Sequence, residues 1–525
     1  MPKSIPRATT AHRPARGRSG RAWRDKHKKW VDKGDGTVVE VAYWKRHARK
    51  PKRGHYRGPG PRPVPVPQRP PRPRPPQPFG VYRGPFGRLE ATRLLNRAGF
   101  GPRRGEAERL ARIGLKAAVH SLTRPSGEAA LRGPAPVDAD GAPIAPADAY
   151  GHDHLWWLDR MVRTSQPLIE RMALLFHDWF ATSNDGVSTQ QQMIDQSNLF
   201  RARCFGSFLE LLKAVTIDPA MLQWLDGDSS TKRAPNENYA RELMELFTLG
   251  ADRGAYSETD IREMARALTG WRSDDSSQLG AHNFRFDPAR YDSGQKTVFG
   301  RSGTWNWEDA CRLCVENPHH ASFFVTKLWS YFVPTPPSAS TLRELTRLYL
   351  SKDYAIRPVV EATLMHPDFY DGPPMVKPPV VYLASLLRAT GRGVDTEDWV
   401  WLSQQAGQLL FWPPNVSGWD ENRWLDTSTL RARWLMVTYA LEDHGYQDAW
   451  EQPYDGSETA DAALNSALKH WGWPALRREQ QGELQSLATR VERLAIADWQ
   501  QAPYRALRQN ALRQLIAVSP DMQLQ

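Results

Sequence analysis

The chain has 525 residues, 40% of them apolar and 21 of them Trp, enough for a sizeable core in two to four units of roughly 100–200 residues each. Three cysteines exclude a disulfide framework, and no apolar run approaches the ~20 residues that span a bilayer. The net charge of +12 is local: residues 1–80 carry 22 Lys+Arg against 4 Asp+Glu, and the remainder carries 48 against 54, so a polyanion-binding reading applies to the arm and not to the body.

The arm runs through "HRPARGRSGRAWRDKHKKW" and "GPGPRPVPVPQRPPRPRPPQP" and holds 15 of the 42 prolines. Such a segment favours polyproline II over a packed core, so residues 1–80 read as largely disordered or extended. "GTVVEVAYW", Gly36 to Trp44, is compatible with a short strand. Three readings of the arm stay open: a solvated tail, a binder of nucleic acid or another polyanion, or a proline-rich ligand for a partner domain. No apolar h-region follows the basic N-terminus, so a secretory signal is not visible and the default location is cytoplasmic; export requires a different start site.

From Leu89 the spacing turns helical. "LEATRLLNRAGFGP" places Ala91, Leu94, Leu95 and Ala98 on one face and stops at Gly99 and Gly101-Pro102. Helices are expected in "GEAERLARIGLKAAVHSLTRP", then from His154 onward in "LWWLDRMVRTSQPLIERMALLFHDWF" and in "QQQMIDQSNLFRARCFGSFLELLKAVTIDPAMLQWLD". In "SETDIREMARALTGW", Ser257 and Asp260 have capping-box spacing. Residues 272–304 read as a long irregular insertion and about 408–429 as a Trp-rich loop. Helices fill the intervals and the tail. The fold class is mainly α: one large multi-helix domain over about 88–525, with a division into two lobes near the insertion left open.

Nine stretches carry a family resemblance: "LLNRAGFGP", "ERMALLFHDWFATS", "DPAMLQWLDG", "NENYARELMELFTLG", "YSETDIREMARALTGW", "GQKTVFG", "KLWSYFV", "HPDFY" and "PPNVSGW", with the closing "LRQLIAVSPDMQLQ". In this order they resemble the signature blocks of the bacterial family called domain of unknown function 1800, over about residue 88 to the end. The resemblance implies a mostly helical protein of uncharacterised biochemistry. Many members carry export signals, and a second uncharacterised family, number 1501, is the implied protein partner. Relatives commonly have histidines where Trp179 and Phe247 stand here.

The chemistry-bearing stretch is "PNENYARELMELFTLG", Pro235 to Gly250. With Asn238 at zero, Glu242 falls at about 40°, Glu245 at about −20° and Arg241 at about −60°, a dense polar stripe opposite Tyr239, Leu243 and Phe247. The stripe is either a solvated face of Arg–Glu pairs or a buried polar network. In "ERMALLFHDWF", Glu170 and His177 share a helix face, while Asp178 points elsewhere. If His177 meets Glu242 or Glu245 across a helix pair, acid–base chemistry is available. The expected catalytic residues are therefore His177, Glu242, Glu245 and Arg241. Asn236, Asn238, Glu170, Lys296, Asn415 and Trp419 are the expected substrate contacts.

Other signals are weaker. Cys311 and Cys314 precede His319 and His320, but without a second Cys pair they read as helix packing. "GHDHLWW" reads as a helix start capped by Asp153. "SGQKT" lacks phosphate-loop spacing, although Lys296 remains a candidate anion contact. Trp412, Trp419 and Trp424 with Asn415, Asp420 and Asn422 resemble a carbohydrate or peptide cleft, or a loop anchored by its own tryptophans. No metal site is expected, and no cofactor is identifiable. Two functions follow: a hydrolytic or acid–base enzyme on an envelope-related polymer, or a non-catalytic scaffold whose arm recruits a polyanion or partner.

Overall fold

The computed structural model describes residues 79–147, 149–442, 446–448 and 454–525, together with two short strands at 29–32 and 38–41. Those strands, Lys29–Asp32 and Val38–Val41, pair antiparallel, and the second lies within the Gly36–Trp44 stretch. The extended reading of the remaining residues up to Pro78 lies outside the described residues.

The unit Arg72–Gln525 is mainly α. Its central helix, Pro167–Trp179, starts on a proline at its first turn and buries Leu168, Met172, Ala173 and Leu174 around its circumference, with Phe176 and Trp179 continuing the first face. A helix apolar on all sides belongs inside a larger protein. Trp179 packs on Phe208 at 5.7 Å and on Phe324 at 5.6 Å, which ties the central helix to Phe208–Thr216 and His320–Ser330. Along His320–Ser330 the buried Phe324 and Leu328 face inward, and Lys327 lies one turn before Tyr331.

Local chemistry accounts for most boundaries. Ser257 caps Glu258–Ala267: its Oγ accepts the Asp260 N–H and the Asp260 carboxylate accepts the Ser257 N–H at 2.8 Å. The helix His152–Arg163 is preceded not by an aspartate cap but by Gly151 at φ +81°. The Asp153 carboxylate instead accepts the Asn184 amide at 2.5 Å. Cys311 and Cys314 are buried in Trp307–Glu316, and burial pushes the Cys311 thiol up to about 12.

The insertion expected to be irregular is strand-bearing. Trp271–Ser276 pairs with Gly280–Phe286, and Lys296–Val298 with Arg301–Gly303. Composition hides the first pair, where a cross-strand Trp271–Phe286 ring contact at 5.7 Å and the Arg285–Asp274 ion pair at 2.8 Å replace the β-branched pairs that signal a strand; the second pair is hidden by its length of three residues per strand. No helix among the described residues is long and apolar enough to cross a membrane.

Candidate functional site

The polar stripe forms, but not as a cleft. Asn236 caps the helix Glu237–Glu242: its Oδ1 accepts the Asn238 N–H at 2.8 Å, and its Nδ2 donates to the Leu225 and Asp226 carbonyls at 3.1 Å. Asn238 is exposed. Arg241 donates to both Glu258 oxygens at 2.9 Å and to Glu245 at 3.4 Å. Partial burial, then the Glu245 charge, raises the half-exposed Glu242 carboxyl. This is a surface framework of ion pairs. Its contribution to a site comes through its backbone. After Glu242 the helix widens into a π-turn, Leu243–Thr248, a feature that shifts the hydrogen-bond ladder by one residue. The Leu246 carbonyl accepts from Lys327 Nζ at 3.1 Å and the Phe247 carbonyl from Trp179 Nε1 at 3.1 Å.

His177 lies elsewhere. It is buried against Trp157 and Trp419 at 5.4 and 5.3 Å, and no hydrogen bond or ring contact joins it to Glu242 or Glu245 among the described residues. Its Nε2 accepts the Phe411 N–H at 3.2 Å, and one residue earlier the Leu410 N–H donates to Nδ1 of buried His154 at 3.0 Å. Burial, then the Arg201 charge, pulls the His177 pKa down to about 3, so the ring stays neutral and keeps its acceptor. The two imidazoles hold the start of the Trp loop, where Phe411 sits at φ +66°. The expected meeting of His177 with the stripe is therefore corrected: both are committed to the fold.

Glu170 is sealed in a network. It accepts Trp157 Nε1 at 3.0 Å, Arg160 Nε at 3.0 Å and Arg201 Nε at 2.8 Å. Burial alone would raise its pKa, but Arg201 and Arg160 together hold it below the usual carboxylate range. Lys296 is likewise buried, donating to the Asp292 and Gly294 carbonyls over the Tyr291 ring. Asn415 is exposed and closes a turn by accepting the Ser417 N–H at 2.8 Å. Of the residues expected at a site, Trp419 alone lines the cavity that the structure provides.

That cavity, of about 300 Å³, lies between the central helix, the end of His320–Ser330 and the Trp loop. Asp178 is part of its lining. One carboxylate oxygen accepts the Tyr331 hydroxyl at 2.5 Å, and the other accepts the Trp419 N–H at 2.9 Å. Gly418, at φ +86°, makes this approach possible: a Cβ there would lie 2.2 Å from Asp178 Oδ1. Lys327 sits over the Trp179 ring at 4.8 Å. Burial draws its pKa down to about 8, against the pull of Asp178. Burial raises Asp178, opposed by the Tyr331 and Trp419 donors and by Lys327. At the mouth, burial and then the Asp178 and Asp420 charges raise Glu421. Leu174, Leu175, Phe332 and Pro378 form apolar wall. On the far side of the same loop, a wider groove of about 580 Å³ shares Trp419, Asp420 and Trp424 and adds Trp412.

Asp178, Lys327, Tyr331 and Glu421 were not singled out by the sequence reading. Asp178 points away from His177, as its place on the helix implies, and the cavity lies on that side. The available signal was that "ERMALLFHDWFATS", "KLWSYFV" and "PPNVSGW" are three separate blocks, and all three converge on this cavity. Trp179 and Phe247, where the resemblance implies histidines in relatives, also touch, through the hydrogen bond from Trp179 Nε1 to the Phe247 carbonyl. No group of three or more His, Cys, Asp or Glu suited to a metal occurs among the described residues.

Residues 93–524 match the model of a family described as proteins of unknown function (DUF1800). No curated protein and no solved structure matches the chain.

Proposed function

We propose, from the premise that the chain belongs to the DUF1800 family, that it is an acid–base hydrolase acting on the glycan part of an envelope-related polymer. The observation that supports this is the pairing of Asp178 and Glu421 on one cavity, both raised by burial, with hydrogen-bond donors and a cation opposing that rise at Asp178. Asp178 has two hydrogen-bond donors and the Lys327 charge beside it. Glu421 is raised by burial and by its acidic neighbours. The donors and the cation favour the ionised form of Asp178, and the acidic neighbours favour the protonated form of Glu421.

In this reading Glu421 protonates the departing glycosidic oxygen. Asp178 stays ionised, held by Tyr331 and Trp419, and either takes a proton from the water that attacks the anomeric carbon or attacks that carbon itself, forming a glycosyl ester that water then cleaves with Glu421 as base. Lys327 keeps that carboxylate charged from the π-turn, where the Leu246 carbonyl fixes its ammonium near a helix C-terminus that favours a cation. Trp419 and Trp412 offer flat apolar faces for sugar rings along the groove.

A second reading, a non-catalytic binding protein, is favoured by the saturated ion pairs of Arg241, which give the polar stripe a framework role. In that reading the basic arm recruits a polyanion, or a protein of the 1501 family docks.

The full chain incubated with soluble peptidoglycan-derived glycan strands tests the proposal by release of reducing ends. The wild type is expected to release them, and Glu421→Gln to slow release by roughly 10²–10⁴-fold. A general acid must hold its proton, so wild-type activity falls as pH rises through the raised Glu421 pKa, and the variant lacks that limb. Binding of the strands without release by the wild type would contradict catalysis and favour the second reading.

A further inference from the structure

A short antiparallel bridge, Val376 with Leu524, separates the cavity above from another. The Met375 N–H donates to the Gln525 carbonyl at 3.0 Å and the Lys377 N–H to the Gln523 carbonyl at 2.9 Å. Val376 lines the first cavity and Lys377 the second, which encloses about 350 Å³. Lys377 is 3% exposed. Its ammonium has no hydrogen bond or ion pair among the described residues, and the charge that acts on it is the like charge of Arg433. A buried, unpaired ammonium is costly unless something in the cavity pairs with it.

The rest of the cavity supplies more positive charge. The loop Gly101 to Gly105 and the first turn of the helix Glu106–Ile113 form one side, and a helix start presents unsatisfied backbone N–H groups. Arg88, Arg103, Arg104 and Lys469 line the cavity too. Arg103 Nε is buried without a partner, and Arg104 and Lys469 form no ion pair among the described residues. The two acids in the lining are already engaged: Glu108 with Arg88 at 2.9 Å and Asp521 with Arg477 at 2.7 Å. Burial, with Arg433, pulls the Lys377 pKa to about 7, the response of an ammonium that lacks a counter-charge.

We infer that this second cavity binds a small oxyanion, the phosphate or carboxylate group of a soluble ligand, with Lys377 as its buried counter-charge. The site is independent of the glycan reading. Calorimetric titration of the full chain with inorganic phosphate, and separately with succinate, tests it. At least one of the two is expected to bind the wild type, and which one binds more tightly identifies the group. Lys377→Met keeps the length and apolar stem but removes the charge; it is expected to weaken binding at least about tenfold while the thermal midpoint holds or rises. Arg104→Ala, at an exposed side chain, gives an independent reading, with about threefold weaker binding expected. Failure of both anions to bind the wild type at millimolar concentration, or undiminished affinity in either folded variant, would overturn the inference.

Discussion

Replacing Asp178 by Asn should lower glycan turnover by roughly 10²–10⁴-fold while leaving the fold nearly as stable as before. The asparagine carbonyl oxygen still accepts the Trp419 N–H that positions the loop. Its amide nitrogen cannot accept the Tyr331 hydroxyl, and the side chain carries no charge for the reaction or for Lys327. With that attraction gone, the Lys327 pKa should fall below its value of about 8, which an amine-acylating reagent detects as faster modification of Lys327 at neutral pH. Steady-state rates, the thermal midpoint and peptide mapping of the acylated lysine read all three. An unchanged rate in the folded variant would remove Asp178 from the chemistry.

The largest effect on stability is expected at Glu170. Its carboxylate is the shared partner of Arg160, Arg201 and Trp157. Glu170→Ala leaves the Arg201 guanidinium, itself nearly buried over Trp156 and Trp157, without a counter-charge. Removing one member of such a buried pair costs about 3–5 kcal/mol, visible as a lower denaturant midpoint. The pH dependence has a definite sign. The folded pKa is depressed, so this carboxylate's contribution is present above the unfolded carboxyl pKa and is lost as pH falls through the folded one. The wild-type midpoint should therefore drop in acid more steeply than that of the variant. A midpoint unchanged by the substitution would contradict the network.

Much of the fold was legible because helices announce themselves. Ala91, Leu94 and Leu95 keep the apolar period that buries them, and Ser257 with Asp260 marks a start that the structure uses. The four strands within 271–303 were not legible, since an ion pair and an aromatic contact do the work of β-branched residues in the first pair and the second pair has three residues per strand. The site was legible only in pieces. Counting 100° per residue located the stripe, but could not show that Arg241 would satisfy Glu245 and Glu258 at the surface, or that the helix would widen at Leu243. A histidine's neighbours in space are not in its sequence: His177 faces the backbone of Phe411, 234 residues on. Asp178, the pair Lys327 and Tyr331, and Trp419 come together from three distant segments, and beyond the block pattern only Gly418, needed to let the loop touch Asp178, hints at that meeting in the sequence.

The location of the site is tested most directly by hydrogen–deuterium exchange of the full chain with and without peptidoglycan-derived oligosaccharides. Slowed exchange is predicted in the Trp loop around Gly418 to Trp424 and at the turn following His320–Ser330, with the helix Glu237–Glu242 unaffected. Slowed exchange confined to Glu237–Glu242, with the Trp loop unchanged, would contradict the assignment.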